Sequence, residues 1–325
     1  MKVRAIQITE HGGPDVMHLA DIEVGEPGPG QVRVRHHACG INYVDTYFRS
    51  GLYPAPLPLV PGTEAAGVVE AVGAGVTRLA VGDRVTYAAM GPGSYSEARV
   101  LDAGPVVRLP DSIDFERAAA MTLKGMTVQY LLKRTWPSLR TGDAILWHAA
   151  AGGVGLIACQ WASALGYVVI ATAGSAEKCK LALDHGAAHA IDYHREDVVA
   201  RVKQLTGGRG VAVAFDAVGK DTFERSLDST RALGLVAVFG NASGAVPPFD
   251  VLGLMRRGSL FVTRPTLGTH LAAGAAQEMA DDLFAMVSAG KVRIDPPRTY
   301  PLADAARAHR ELEAGKTTGA GILVV

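Results

Sequence analysis

Three residues of types that bind metals, His36, His37 and Cys39, fall within the stretch RHHACGINYVDTY. A zinc site needs three or four such side chains converging on one point. In QVRVRHHA, strand alternation puts Val32 and Val34 on one face and Arg33 and Arg35 on the other, so Cys39 shares its face with His37, Arg35 and Arg33. The cluster therefore reads as partly buried strand residues, with no metal. A second run carries different chemistry. AILWHAAAGGVGLIACQWASALG opens as an apolar strand, turns through Ala150, Gly152 and Gly155 in the spacing A-x-G-x-x-G, and continues as a helix from about Gly153. In that context the spacing fits a pyrophosphate. Gly152 lets the phosphates approach the backbone, Gly155 lets the helix pack on the strand, and the free N–H groups at the helix start, with Gly153 and Val154 in the turn, face negative charge. A glycine-rich turn serving packing alone is the competing reading.

The next strand, YVVIATAGSAEKCK, ends in Ala173, Gly174 and Ser175, with Lys178 one helical turn further on. A site for NAD normally carries Asp or Glu there to accept bonds from the ribose hydroxyls. A hydroxyl, backbone N–H groups and an ammonium suit a 2′-phosphate instead. The expected cofactor is NADPH rather than NADH. Glu177, at the start of the helix, is expected to face water; the bland alternative for Lys178 is a solvated helix residue.

These residues need a scaffold, and the composition bounds it. The 325 residues include 32 Lys plus Arg and 32 Asp plus Glu, so the net charge is zero and no basic footprint for nucleic acid or a membrane surface exists. Three scattered cysteines, Cys39, Cys159 and Cys179, form no disulfide framework and point to a reducing compartment, the cytoplasm. The opening MKVRAIQITEHGG reads as a strand running into a turn, without the apolar core of a signal peptide. Residues 144–176 lack any Asp, Glu, Lys or Arg, yet Gly152, Gly153, Gly155 and Gly166 break the run, so a buried strand-helix-strand unit is expected rather than a membrane span.

The first third, rich in Gly, Pro and alternating valines, has the texture of an antiparallel β domain. From Phe115 the pattern turns helical, then alternates. Strands are expected near 144–148, 167–171, 189–192, 211–216, 235–239 and 259–263, with helices near 153–165, 176–185, 197–206 and 221–229. Six strands in βα alternation predict a doubly wound parallel sheet in an α/β fold. Beyond Pro265 two helices and a last strand, GAGILVV, are expected, the strand returning to the first sheet.

Taken together, HGGP at 11–14, GINYVDTYFRSGLYP at 40–54, PGTEAAGVVEAVGAGV at 61–76, GDRV at 82–85, AAAGGVG at 149–155 and VTRP at 262–265 give a chain that resembles the medium-chain dehydrogenase/reductases. Within them it resembles most the zinc-independent NADPH:quinone oxidoreductases related to zeta-crystallin. The resemblance implies a GroES-like catalytic domain (1–124 and 265–325), a Rossmann domain inserted between (125–264), and a homodimer. It also bears on the metal. Zinc-dependent members carry a Cys and a His where this chain has Asn42 and Thr63, neither a usual zinc ligand.

By the same resemblance Asn42, Asp45 and Tyr47 lie beside the nicotinamide and the substrate, with Tyr53 at the rim. Asn42 would donate an amide N–H, and Tyr47 or Tyr53 would stack or donate a hydroxyl. In the plainer reading Asn42 caps a turn, Asp45 orients a neighbour and the tyrosines pack. Thr127 matches a residue that approaches the nicotinamide; Gly174, Ser175 and Lys178 match the adenosine-phosphate pocket, and Tyr193 an aromatic against the cofactor. Phe239, Gly240 and Asn241 follow the fifth strand, and Thr263, Arg264 and Pro265 match the segment that bonds the carboxamide. His148, just before the cofactor turn, has a structural role, and no dedicated proton donor stands out. Quinone reduction suits this set, because a quinone carbonyl is already electrophilic and the cofactor carries the hard chemistry. Reduction of the C=C bond of enones or alkenals is the rival within the fold. A structural or RNA-binding protein that merely holds NADPH is the rival outside it, and zero net charge opposes the RNA version.

Overall fold

The computed structural model describes residues 1–88 and 91–325. The chain forms two units, one of residues 1–126, 267–284 and 294–325, the other of residues 127–266 and 285–293. Segment 285–293 joins the second unit, where Gln160 and Arg293 exchange two hydrogen bonds of 3.0 and 2.8 Å.

The second unit is a six-stranded parallel sheet in the order His189–Asp192, Val168–Ala173, Ala144–Trp147, Val211–Asp216, Thr230–Val238, Phe261–Thr263. This is the doubly wound order in which the first strand sits at the centre and the chain runs out to one edge, then to the other. Ile145, Leu146, Val169, Ile170, Val213 and Ala214 are sealed from solvent, which explains the uninterrupted apolar runs. Helices Gly153–Ala164, Ala176–Asp184, Val198–Leu205 and Phe223–Ser229 connect the strands. The charge-free stretch 144–176 is thus strand, helix and strand, and no helix among the described residues is long and apolar enough to cross a membrane.

The first unit is built on the long strand Gln31–Ile41, which pairs antiparallel with Glu64–Val72, Ala98–Asp102 and the final strand Gly321–Val324. The last strand does return to this sheet. The tail before it differs from expectation: three α-helices, Leu267–Ala272, Ala276–Ser288 and Ala305–Glu313, and an extra strand, Arg298–Pro301, pairing parallel with the final one. Pro296 and Pro297 hid that short strand, and polar composition hid the third helix. After Ile41 the chain enters a helix, Tyr43–Ser50, that the sequence reading did not include. Asn42 is extended at its N-cap, and the Asp45 carboxylate accepts the Asn42 backbone N–H at 2.8 Å.

Candidate active site

Every cofactor residue expected in the second unit, apart from Thr127, lies at the carboxyl edge of its sheet, where ligands bind in doubly wound folds. Gly152 is the N-cap of the helix after the central strand, with Gly153 and Val154 its first residues. A Cβ at Gly155 would stand 2.5 Å from Ala150 Cα, so the helix packs against the turn as closely as the spacing predicts. Ala149, in the same turn, takes a left-handed φ of 54°. Gly174 and Ser175 follow the neighbouring strand. The Ser175 hydroxyl accepts the Lys178 N–H at 3.2 Å and so caps the next helix. Tyr193 is exposed and bonded through its N–H to Ala173 O at 3.2 Å. Phe239, Gly240 and Asn241 follow the fifth strand; Thr263 ends the sixth, with Arg264 and Pro265 after it. Thr127 is buried on the helix Phe115–Lys133. The turn and strand ends fit a phosphorylated dinucleotide, for Gly152 at the N-cap puts no side chain over the N–H groups at the start of the helix.

His148 holds three of these strand ends together. The Asp216 carboxylate accepts the Val218 and Gly219 N–H groups and the Thr222 and Ser226 hydroxyls, the last at 2.7 Å. Ser226 therefore accepts from His148 Nε2, 3.1 Å away, and His148 Nδ1 accepts the Thr172 hydroxyl at 3.0 Å. Burial lowers the His148 pKa against the opposing pull of Asp216, which agrees with a neutral ring. Its role is structural.

In the first unit the four predicted residues Asn42, Asp45, Tyr47 and Tyr53 come together around the helix Tyr43–Ser50. The Tyr47 and Tyr53 rings meet edge to face at 5.1 Å. Asp45 is sealed and accepts from Asn42 N–H, from the Thr63 hydroxyl at 2.8 Å and from the Tyr95 hydroxyl at 2.9 Å. Burial lifts its pKa to about 6 even though all three donors, Thr63 first, oppose the rise. Tyr95 in turn meets His309 Nε2 at 3.0 Å, and His309 Nδ1 lies 3.0 Å from Arg49 Nη1. A guanidinium only donates, so Nδ1 accepts, Nε2 carries the hydrogen, and the chain runs from Arg49 through His309 and Tyr95 to Asp45.

The His36, His37 and Cys39 group does not converge, but the expected face was wrong. The register shifts between His36 and Ala38, so His36 and Cys39 share the buried face while His37 turns out to stack on Phe115 at 4.3 Å. A bulge of this kind breaks the two-residue alternation on which the reading relied. His36 bonds Ser96 O and the Tyr87 hydroxyl, and burial lowers its pKa to about 4. Cys39 donates to Ser94 O, its thiol pKa pushed up by burial. A cavity of about 600 Å³ beside His37, lined by Phe115, Arg117, Pro296 and Pro297 among others, contains none of the predicted site residues.

Comparison with known proteins places this geometry. Residues 28–111 match the alcohol dehydrogenase GroES-like domain, and residues 153–285 match a family described as zinc-binding dehydrogenase. A quinone oxidoreductase of Pseudomonas aeruginosa is 53% identical over 323 residues, covering 99% of both chains. The structure of Escherichia coli quinone oxidoreductase complexed with NADPH superposes with a TM-score of 0.94 at 45% identity, covering 99% of this chain and 100% of that one. The chain belongs to the quinone oxidoreductase family of medium-chain dehydrogenase/reductases. A 2-haloacrylate reductase from Burkholderia is also similar, 42% identical over 99% of both chains.

In this quinone oxidoreductase family member, Asn42 and Thr63 are engaged with carboxylates. The Asn42 amide donates to Glu64 Oε2 at 2.8 Å, and Thr63 donates to Asp45. Sequence reading passed over Glu64, its neighbour Lys124 and the Tyr95–His309–Arg49 chain. Glu64 is sealed, and it also accepts the Leu123 N–H at 2.6 Å and Lys124 Nζ at 3.1 Å. Gly40 packs against this group: a Cβ there would stand 2.1 Å from Glu64 Oε2 and 2.3 Å from Ala119 O.

Proposed function

We propose that this chain reduces quinones with NADPH and without a metal. One observation carries the reading: the second strand of a dinucleotide-type sheet, Val168–Ala173, is followed by Ser175 and Lys178, where an NAD site would present a carboxylate. Gly152, Gly153, Val154 and Gly155 would hold the pyrophosphate, and Gly174, Ser175, Lys178 and Tyr193 the adenosine phosphate. Thr127, Phe239, Gly240, Asn241, Thr263, Arg264 and Pro265, with Asn42 and Tyr47, would face the nicotinamide half. NADPH, when bound, supplies a hydride. Asn42 orients the acceptor through its amide, Tyr47 and Tyr53 offer aromatic surface for a flat ring, and Asp45 fixes the backbone of Asn42 and the hydroxyl of Thr63. In this reading 1–124 with 265–325 form the catalytic domain and 125–264 the cofactor domain. The metal-free mechanism is supported by the commitment of Asn42 and Thr63 to Glu64 and Asp45.

The test is NADPH oxidation by metal-stripped protein with 1,4-benzoquinone, with NADH in parallel. Undiminished turnover that favours NADPH is expected. Dependence on added zinc would overturn the metal-free mechanism, and a preference for NADH would overturn the Ser175 and Lys178 assignment. The 2-haloacrylate reductase relative supports a second reading, reduction of an activated C=C bond. The ratio of kcat/KM for benzoquinone and an unsaturated aldehyde decides between them.

The proposal includes a homodimer in the cytoplasm. The outer strand Phe261–Thr263 ends its sheet, and Phe261, Val251, Leu252 and Met255 expose apolar side chains in the same unit. Three free, buried cysteines support a reducing compartment. Phe261→Lys shifting the protein from dimer to monomer in light scattering would agree with that edge; a wild-type monomer would refute it.

A further inference from the structure

We propose that Lys124 is a catalytic residue: its ammonium, anchored by Glu64, donates to the oxygen that gathers negative charge as a quinone is reduced, and then gives that oxygen its proton. The inference rests on the quinone-reductase reading above.

Lysine is almost never buried without a partner. Lys124 is only 4% exposed, and Glu64 Oε2, 3.1 Å from Nζ, is the one acceptor recorded for it among the described residues. An ammonium has three hydrogens to donate, so two remain uncommitted there. Both carboxylate oxygens are engaged. Glu64 accepts from Leu123 N–H, Asn42 Nδ2 and Lys124 Nζ. Asn42 Nδ2 and Lys124 Nζ thus converge on one oxygen, and each keeps hydrogens to give. A pair that served packing alone would be expected to satisfy its ammonium, because stranded donors on a buried charge are costly.

Position agrees with hydrogen-bond count. Asn42 and Lys124 retain 5% and 4% exposure while Glu64 and Asp45 have none, so the two donors are the outermost members of the cluster. Lys124 lies three residues before Thr127 on the helix Phe115–Lys133, and residues so spaced share a helix face. Thr127 is the residue assigned above to the nicotinamide. Preorganised donors aimed at developing charge are the largest single source of catalysis in many sites.

The step balances. The quinone takes up a hydride, one proton with two electrons, which leaves one oxygen negative. An O–H bond forms at that oxygen as an Nζ–H bond of Lys124 breaks, giving the hydroquinone and a neutral amine, and water returns a proton to Nζ. Glu64 gives up no proton in this step.

Lys124→Met, near in length and without charge, is expected to lower kcat for 1,4-benzoquinone about 10²–10³-fold. NADPH affinity, read by its fluorescence, should not change. The loss should shrink for tetrafluoro-1,4-benzoquinone, whose hydroquinone oxygen is more acidic and needs less help. A loss equal for both quinones would mean that Lys124 only supports the fold, and would overturn the proposal. A readout without turnover uses 4-nitrophenol, whose phenolate is yellow. Wild-type protein should draw the bound phenol toward phenolate, and Lys124→Met should not; phenolate binding unchanged in the variant would also overturn it. Because Lys124→Met strands Glu64, the neutral double variant Glu64→Gln/Lys124→Met is measured beside it. The same losses are expected there, and wild-type rates would refute the role. Wild-type protein that reduces no quinone yet binds nitrophenolate through Lys124 would remove the quinone reading while leaving the oxyanion site in place.

Discussion

Replacing Tyr95 with Phe interrupts the donor chain from Arg49 to Asp45 with almost no change of shape. Asp45 loses one of three donors, and His309 Nε2–H loses the hydroxyl that accepts it at 3.0 Å. His309 is sealed, its pKa lowered to about 3 by burial and then by Arg49, so it cannot compensate by taking a proton. A hydrogen bond to a charged group contributes about 1.5–3 kcal/mol, and a stranded buried donor costs about 1–3 kcal/mol. The expected loss is therefore about 3–5 kcal/mol where Asp45 is ionised.

The pH dependence follows from the direction of the Asp45 shift. Its folded pKa, about 6, lies above the ordinary value of 3.8, so the native state holds the proton more tightly than the unfolded chain. The contribution of Asp45 to stability is complete below about pH 4 and declines as pH rises through 6; the decline amounts to about 3 kcal/mol. Without the Tyr95 hydroxyl the folded pKa rises further, and the decline extends to higher pH. The variant should thus lose about 1–2 kcal/mol more at pH 8 than at pH 5, the difference between bonding a carboxylate and bonding a neutral carboxyl. Amide hydrogen exchange of the helix Tyr43–Ser50, which Asp45 caps, reports the local effect. At pH 8, after correction for intrinsic rates, exchange should be at least 100-fold faster in Tyr95→Phe, since each 1.4 kcal/mol is about tenfold. Equal acceleration at both pH values, or none, would refute the assigned polarity of the chain.

Other substitutions test the remaining parts. Gly155→Val should weaken NADPH binding by tenfold or more in a fluorescence titration, because its side chain would displace the turn at Ala150. Lys178→Ala combined with Ser175→Asp should reverse the preference between NADPH and NADH, measured as the ratio of kcat/KM, by exchanging cation and hydroxyl for a carboxylate. Gly40→Ala should lower thermal stability by about 3 kcal/mol or fail to fold, since the methyl meets both Glu64 Oε2 and the Ala119 carbonyl; an unchanged melting temperature would mean that Glu64 has room to move.

What was legible in the sequence was local. The strands of the parallel sheet announce themselves as apolar runs, and the turn from Ala149 to Gly155 does so because glycine spacing and helix start lie within seven residues. The helix Tyr43–Ser50 was not read, because its cap, Asn42 followed three residues later by Asp45, sets Asp where the usual capping box has Glu or Gln. The face of Cys39 was misread, since one bulge inverts every assignment beyond it. Nor was the cluster beneath Asn42 legible. Lys124 reaches Glu64 across 60 positions, Tyr95 reaches His309 across 214 and Arg49 reaches His309 across 260, and no periodicity links residues so far apart.

The same bonds decide where a proton can come from. His36, His148 and His309 are buried, each with its pKa lowered chiefly by burial, so none of the three carries a transferable proton at neutral pH. Asp45 is ionised above about pH 6 and holds three donors, which makes it an acceptor. Tyr95 already gives its hydrogen to Asp45, and burial raises its pKa further. In the cluster around Asn42, Lys124 is the group that is both cationic and incompletely bonded among the described residues. A reductase that needs one proton for each hydride can draw it from bulk water or from this ammonium. Kinetics on quinones whose hydroquinones are of graded acidity separates the two, because only the ammonium is abolished by a single substitution.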